Sequence, residues 1–205
     1  MWRRLIDWVC AALTITCLYA GAVSAADISG EVRVEDGKRL KNLVVYLEPA
    51  STESGETPKP PTRIYQRGRE FSPSTVVVVK GKAVDFVNDE EREIDHNVYS
   101  LSRNNKFDVG LVPKGGSRQV TFPSSGVVKY FCSVHKLMEG VIVVVPSPYF
   151  VVLEEPGEFT IRNAPPGDWR VKVSSPHRRY RETPVDIKVG SGPIRNVLVL
   201  MKRKR

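Results

Sequence analysis

Cys132, His135 and Met138 fall within the stretch Tyr-Phe-Cys-Ser-Val-His-Lys-Leu-Met, and His96-Asn97 lies 36 residues upstream of the cysteine. One thiolate, two imidazoles and a thioether are the donors of a mononuclear copper site with a trigonal His₂Cys plane and a weak axial Met. The spacing suits that chemistry. Cys-x-x-His-x-x-Met puts three donors on one tight loop between strands, and His96 closes the plane from a neighbouring strand. In this reading His96, Cys132 and His135 bind the metal in plane, and Met138 is the axial donor that tunes its potential. His135, on the loop, is the expected electron exit.

Each of these residues also has an ordinary explanation when taken singly. A lone buried histidine is usually a satisfied core residue, and a lone Met or Cys usually fills core space. The four together outweigh those readings. A cysteine nucleophile activated by His135 is the enzymatic alternative, but no third orienting residue is evident and the chain is expected not to be an enzyme. Structural zinc is served poorly by a thioether. A copper-delivery or purely structural envelope module stays open as the rival function. Asn97 and Ser133, beside two of the donors, are candidate supports, with the Asn97 side chain bonding across to Ser133. His177, within His-Arg-Arg-Tyr-Arg, reads as a solvated loop residue.

The elements that must position these residues are almost all β. Strands are expected at 28–34, 43–47, 63–66, 75–79, 82–88, 96–102, 118–122, 127–132 and 140–145, then at 149–153, 158–162, 169–174 and 194–201. Asp36-Gly37 reads as a hairpin turn, and residues 49–62, with Pro58-Lys59-Pro60-Pro61, read as a linker. No segment after residue 26 sustains a helical period. Five carboxylates between 89 and 95 lack the glycine-bent spacing of a calcium loop and read as a solvated acidic loop. The blocks before and after the middle region are each too small to bury a core alone. Residues 27–50 and 147–201 are therefore expected to form one discontinuous β-sandwich, with 63–146 inserted between them.

The chain's 205 residues begin with Arg3 and Arg4, then an almost uncharged run from 8 to 23, then Val23-Ser24-Ala25. That is the pattern of an export signal over residues 1–25, cleaved before Ala26, and it implies a periplasmic protein. Cys10 and Cys17 would leave with it, so Cys132 would be the single thiol in an oxidising compartment. A metal on that thiolate explains its presence. The formal charge of +8 falls by one unit when the leader is lost, to about +7. Export and the lack of aromatic-basic interleaving argue against nucleic acid. An acidic redox protein fits better, with an anionic membrane surface as a weaker second partner.

The middle block resembles the cupredoxins, especially the amicyanin and plastocyanin-like branch. His96-Asn97-Val98 matches the family's first imidazole ligand, and Cys132, His135 and Met138 match the short ligand loop. The resemblance implies a Greek-key sandwich, one type 1 (blue) copper ion and single-electron transfer. The flanks, through Gly30-Glu31-Val32, Gly157-Glu158-Phe159-Thr160-Ile161 and Pro165-Pro166-Gly167-Asp168-Trp169, look like a carboxypeptidase-regulatory or transthyretin-like sandwich. The whole arrangement is similar to exported proteins of the methylamine-utilisation type. One departure is Lys136, where amicyanin-like loops place Pro directly after the second imidazole. A looser loop and a less apolar docking patch are expected from it.

Overall fold

The computed structural model describes residues 25–50 and 61–204. Nearly all of the expected export segment and linker, with Cys10 and Cys17, lie outside them. The described residues are all β, without helix. The first block supplies β1 (Ala26–Val34) and β2 (Leu43–Pro49). The middle block supplies β3 (Thr62–Arg67), β4 (Glu70–Ser72), β5 (Thr75–Val79), β6 (Ala83–Asn88), β7 (His96–Ser100), β8 (Phe107–Val112), β9 (Ser117–Thr121), β10 (Gly126–Phe131) and β11 (Glu139–Val145). The third supplies β12 (Phe150–Leu153), β13 (Glu158–Ala164), β14 (Gly167–Ser174), β15 (Tyr180–Thr183), β16 (Val185–Val189) and β17 (Ile194–Arg203).

Four sheets result, two from the middle block alone and two shared by the blocks around it. In the shared pair, β1 lies between β13 and β17, and β2 lies between β12 and β14. Both strands of the first block are thus internal to sheets whose other strands come from the third block. Their inward residues, Ile28, Val32, Leu43, Val45 and Leu47, meet Ile161, Val171, Val199 and Met201 in one core. Alternation explains which face turns in, since β13 buries Phe159 and Ile161 and exposes Thr160 and Arg162. Gly30 is required where β1 meets β17, because a Cβ there would strike the Val197 backbone.

The middle block packs the sheet β4-β3-β6-β9 over β5-β11-β10-β7-β8. Ile64, Phe71, Phe86, Phe122, Tyr130 and Ile142 fill the space between. Strands β5 and β11 are continuous valine runs rather than alternating ones, because their sheet is covered on both faces. Val76, Val78, Ile142 and Val144 point into this core, while Val77, Val79, Val143 and Val145 meet Val44, Tyr46 and Phe150 of the other sandwich. The wholly buried Val44, Val143 and Val145 contribute on the order of 5 kcal/mol to holding the sandwiches together, as an upper bound.

Several local expectations need correction. Gly37 takes a left-handed φ of 67° and its N–H bonds the Val34 carbonyl, so a turn forms. It is no hairpin, however, because β1 and β2 enter different sheets. Strands β4, β8, β15 and β16 are additional to those expected. All four are short edge segments, and β8 carries Gly110 and a register shift opposite Asn97–Tyr99 that breaks its alternation. Strand β4 exists because Gly68 and Arg69 both adopt positive φ, 62° and 64°, closing a two-residue turn between Arg67 and Glu70.

Candidate metal centre

Strand β7 starts at His96 and β10 ends at Phe131. The antiparallel register Phe131↔Tyr99 brings these two ends together. Cys132 follows directly, and its N–H bonds the Met138 carbonyl at 3.0 Å, which folds residues 132–138 into a closed loop ahead of β11. Leu137 turns that loop with a φ of 68°. The loop carries His135 back over the thiol. Cys132 Sγ lies 3.7 Å from His96 Nδ1 and 3.9 Å from His135 Nδ1. All three donors lie within 4.8 Å of one another. Met138 is buried in the same core cluster as Cys132.

This donor set fits a metal ion. Bonds of about 2.3 Å to sulfur and 2.05 Å to nitrogen, opened to a planar trigonal angle, put S and N about 3.8 Å apart, against about 3.6 Å for a tetrahedron. The two S–N distances fall in the range that one metal ion bound to both groups requires. His96 is wholly buried, Cys132 is 6 % exposed, and no disulfide partner for it exists among the described residues.

The structure adds a residue that sequence reasoning misplaced. Glu90, expected in a solvated acidic loop, has a side chain only 7 % exposed, with Oε1 2.9 Å from His96 Nε2. The Arg69 N–H donates to the same oxygen at 3.2 Å. Asn88, wholly buried, ties this loop down by donating to the Ile94 and Val112 carbonyls. A carboxylate at Nε2 keeps the proton there, so the Nδ1 lone pair faces Cys132 as a ligand must. Burial works against the Glu90 carboxylate, yet hydrogen bonds from His96 and from the Gly68 and Arg69 backbone hold its pKa below the ordinary value. Burial, aided by His96 and Arg69, lowers the His135 pKa and favours the neutral donor form. The signal in the sequence was a carboxylate six residues before a candidate ligand, and it only has meaning once the 68–69 turn folds over it.

Asn97 does not reach Ser133. Its Nδ2 donates to Asp108 Oδ1 at 2.7 Å and to the Gly110 carbonyl at 3.2 Å, and Ser133 is exposed. The β8 bulge at Gly110 presents these acceptors, and Asp108 is held below its ordinary pKa first by the Gly110 N–H and then by Asn97. His177 stands apart from the centre, exposed, accepting the Lys41 N–H at 3.3 Å.

Residues 62–145 match the family model described as copper binding proteins, plastocyanin/azurin family. This part of the chain is a cupredoxin domain. Similar solved structures include a copper-containing nitrite reductase from Thermus scotoductus (22 % identity, TM-score 0.41), with 48 % of this chain and 25 % of that one covered. A purple cupredoxin from Nitrosopumilus maritimus is 26 % identical (TM-score 0.37), covering 41 % of this chain and 99 % of that one. The Cu(I) form of an amicyanin mutant is 18 % identical (TM-score 0.39), covering 49 % and 99 %. The chain spans a quarter of the reductase's length, and no curated protein matches it.

The cupredoxin domain is thus one part of a larger all-β protein. At its ligand loop, Lys136 is exposed, but Val134 at 48 % and Leu137 at 98 % exposure stand on either side of His135. The surface around the outermost imidazole therefore keeps apolar side chains despite the lysine. Gly140, just past the loop, is needed because a Cβ there would meet the Tyr130 ring and the Ser74 carbonyl.

Proposed function

We propose that this protein is an exported carrier of single electrons, holding one type 1 copper ion through His96, Cys132 and His135 with Met138 as axial donor. The observation that carries the reading is the buried thiol with two imidazole nitrogens at 3.7 and 3.9 Å. When bound, copper supplies a one-electron couple. The chain's residues supply the rest. Glu90 locks the His96 ring, the Cys132 N–H bond to Met138 holds the loop closed, and the core around Phe86 and Tyr130 keeps water from the thiolate side. His135 is partly exposed and is the way in and out for the electron. The leader-like residues before Ala26 support a periplasmic location, and the basic balance supports an acidic redox partner rather than nucleic acid. The chain itself is not an enzyme in this reading.

The test is the visible spectrum of the copper-loaded protein, with strong absorption expected at about 600 nm and none in Cys132→Ala. Reversible cycling between cuprous and cupric forms is the second expectation. A colourless cupric protein refutes the type 1 site, and irreversible loss of copper on reduction favours a delivery role.

A further inference from the structure

We propose that the junction of the two sandwiches carries a cationic groove that receives an acidic segment of a partner protein. The proposal rests on the electron-carrier reading, since it names where that partner docks. A groove of about 430 Å³ runs between the turn after β1 and the loop before β15, with Lys129 of the cupredoxin domain on its wall. Lys38 and Arg39 come from the first segment, Arg178 and Arg179 from the second. Five cations from three distant stretches of chain therefore converge, and two carboxylates contact the residues that line the groove. Glu155 pairs with Arg39 at 3.3 Å, and Asp36 accepts the Tyr180 hydroxyl at 2.7 Å. Among the described residues no carboxylate forms an ion pair with Lys38, Lys129, Arg178 or Arg179.

Arg203 and Lys204 lie beside this face. Strand β17 pairs Arg203 with Tyr180, and the Lys204 N–H bonds the Arg179 carbonyl at 2.7 Å. Like charges gathered this way repel one another unless an anion joins them. The shape selects the anion. At about 430 Å³ the groove is larger than one phosphate needs. Its charges sit on separate long side chains, which suits several carboxylates spread along a chain. Its concavity suits a protruding segment better than a flat lipid surface.

The location ties the groove to the metal centre. Lys129 precedes Cys132 by three residues at the end of β10, about 10 Å along the strand. Phe131 shares the outward face with Lys129 and stacks on Tyr99 at 5.8 Å. A partner seated in the groove is thus held close to the thiolate, and rim charges of this kind steer encounter more than they add affinity.

The test uses the full chain without metal and a fluorescently labelled oligo-glutamate peptide, with binding followed by anisotropy across a salt series. The Arg178→Gln/Arg179→Gln double variant should weaken binding about tenfold, and Lys129→Gln severalfold. Arg162→Gln/Lys188→Gln removes the same charge from exposed sites elsewhere and should change binding less than about twofold. Equal losses in the groove and control variants overturn the proposal. So does binding to phosphatidylglycerol vesicles but not to the peptide, and so does displacement of the peptide by low-millimolar pyrophosphate. In the copper-loaded protein, the groove variants should also slow reduction by an acidic redox protein. Peptide binding that persists in a protein whose copper does not cycle rejects the carrier reading alone. Normal cycling with peptide binding insensitive to the groove variants rejects the groove alone.

Discussion

Replacing Glu90 by Gln removes a buried negative charge while leaving an oxygen to accept the His96 Nε2–H. The carboxylate oxygen is 2.9 Å from Nε2. Adding roughly 2 Å across the ring and about 2 Å for a metal–nitrogen bond places the charge some 6–7 Å from the metal. Two unit charges at that separation interact by about 2.5 kcal/mol at an effective dielectric of about 20. At about 59 mV per tenfold change for one electron, that is roughly 100 mV, and partial solvent screening brings the expected shift to about 50–100 mV. The sign follows from charge. A carboxylate favours the cupric over the cuprous ion, so Glu90→Gln raises the reduction potential. Voltammetry of wild type and variant at neutral pH reads the shift directly. Exposed Glu91→Gln serves as the control, and an unchanged circular dichroism spectrum shows that the fold persists. A shift below about 10 mV, or a downward one, refutes the assignment of Glu90 as a charge acting through His96.

Glu90 also predicts a pH effect in the metal-free protein. Its folded pKa lies below the ordinary 4.5, so its contribution to stability is present above that value and lost as pH falls through the folded one; acid denaturation curves should be steeper for wild type than for Glu90→Gln, and identical curves contradict this. Residues 61–146 expressed alone should fold and bind copper but self-associate through Val77, Val79, Val143 and Val145, whereas 147–205 should stay unfolded for want of β1 and β2; a monomeric first fragment or a folded second one, judged by light scattering and circular dichroism, refutes this. Gln66 is wholly buried with neither amide atom bonded, so Gln66→Met should stabilise by about 1–2 kcal/mol in urea titrations; a loss of stability would show that the amide has a partner, such as bound water.

The candidate donors were legible because their information is local in type and order. Cys132, His135 and Met138 share one loop, and a thiol, an imidazole and a thioether at that spacing have few other reasons to coincide. The β character was legible for the same reason, since alternation and valine runs are properties of a single strand. Strands with weak alternation, such as β8 and β15, escaped. Polar β15 is held by its pairing with β17 and not by an apolar face of its own, and the three-residue β4 depends on a turn at Gly68-Arg69. Strand β16 does alternate, and its Val185, Ile187 and Val189 pack on the flanking core, but it is a five-residue edge segment.

What the sequence by itself determined was the donor chemistry, the strand-rich composition and the basic balance. Only the tertiary structure decided which polar groups serve the site. The acidic loop reads as solvent-facing until Asn88 and the 68–69 turn bury one of its carboxylates against His96. Asn97 sits beside a ligand in sequence, yet the β8 bulge draws its side chain to Asp108 and away from Ser133. The cations of the groove lie about 50 to 140 residues apart in sequence and converge because β1 and β17 share a sheet while Lys129 belongs to the other sandwich. Burial, tautomer and convergence depend on pairs of residues distant in sequence, and a one-dimensional pattern carries no term for such pairs.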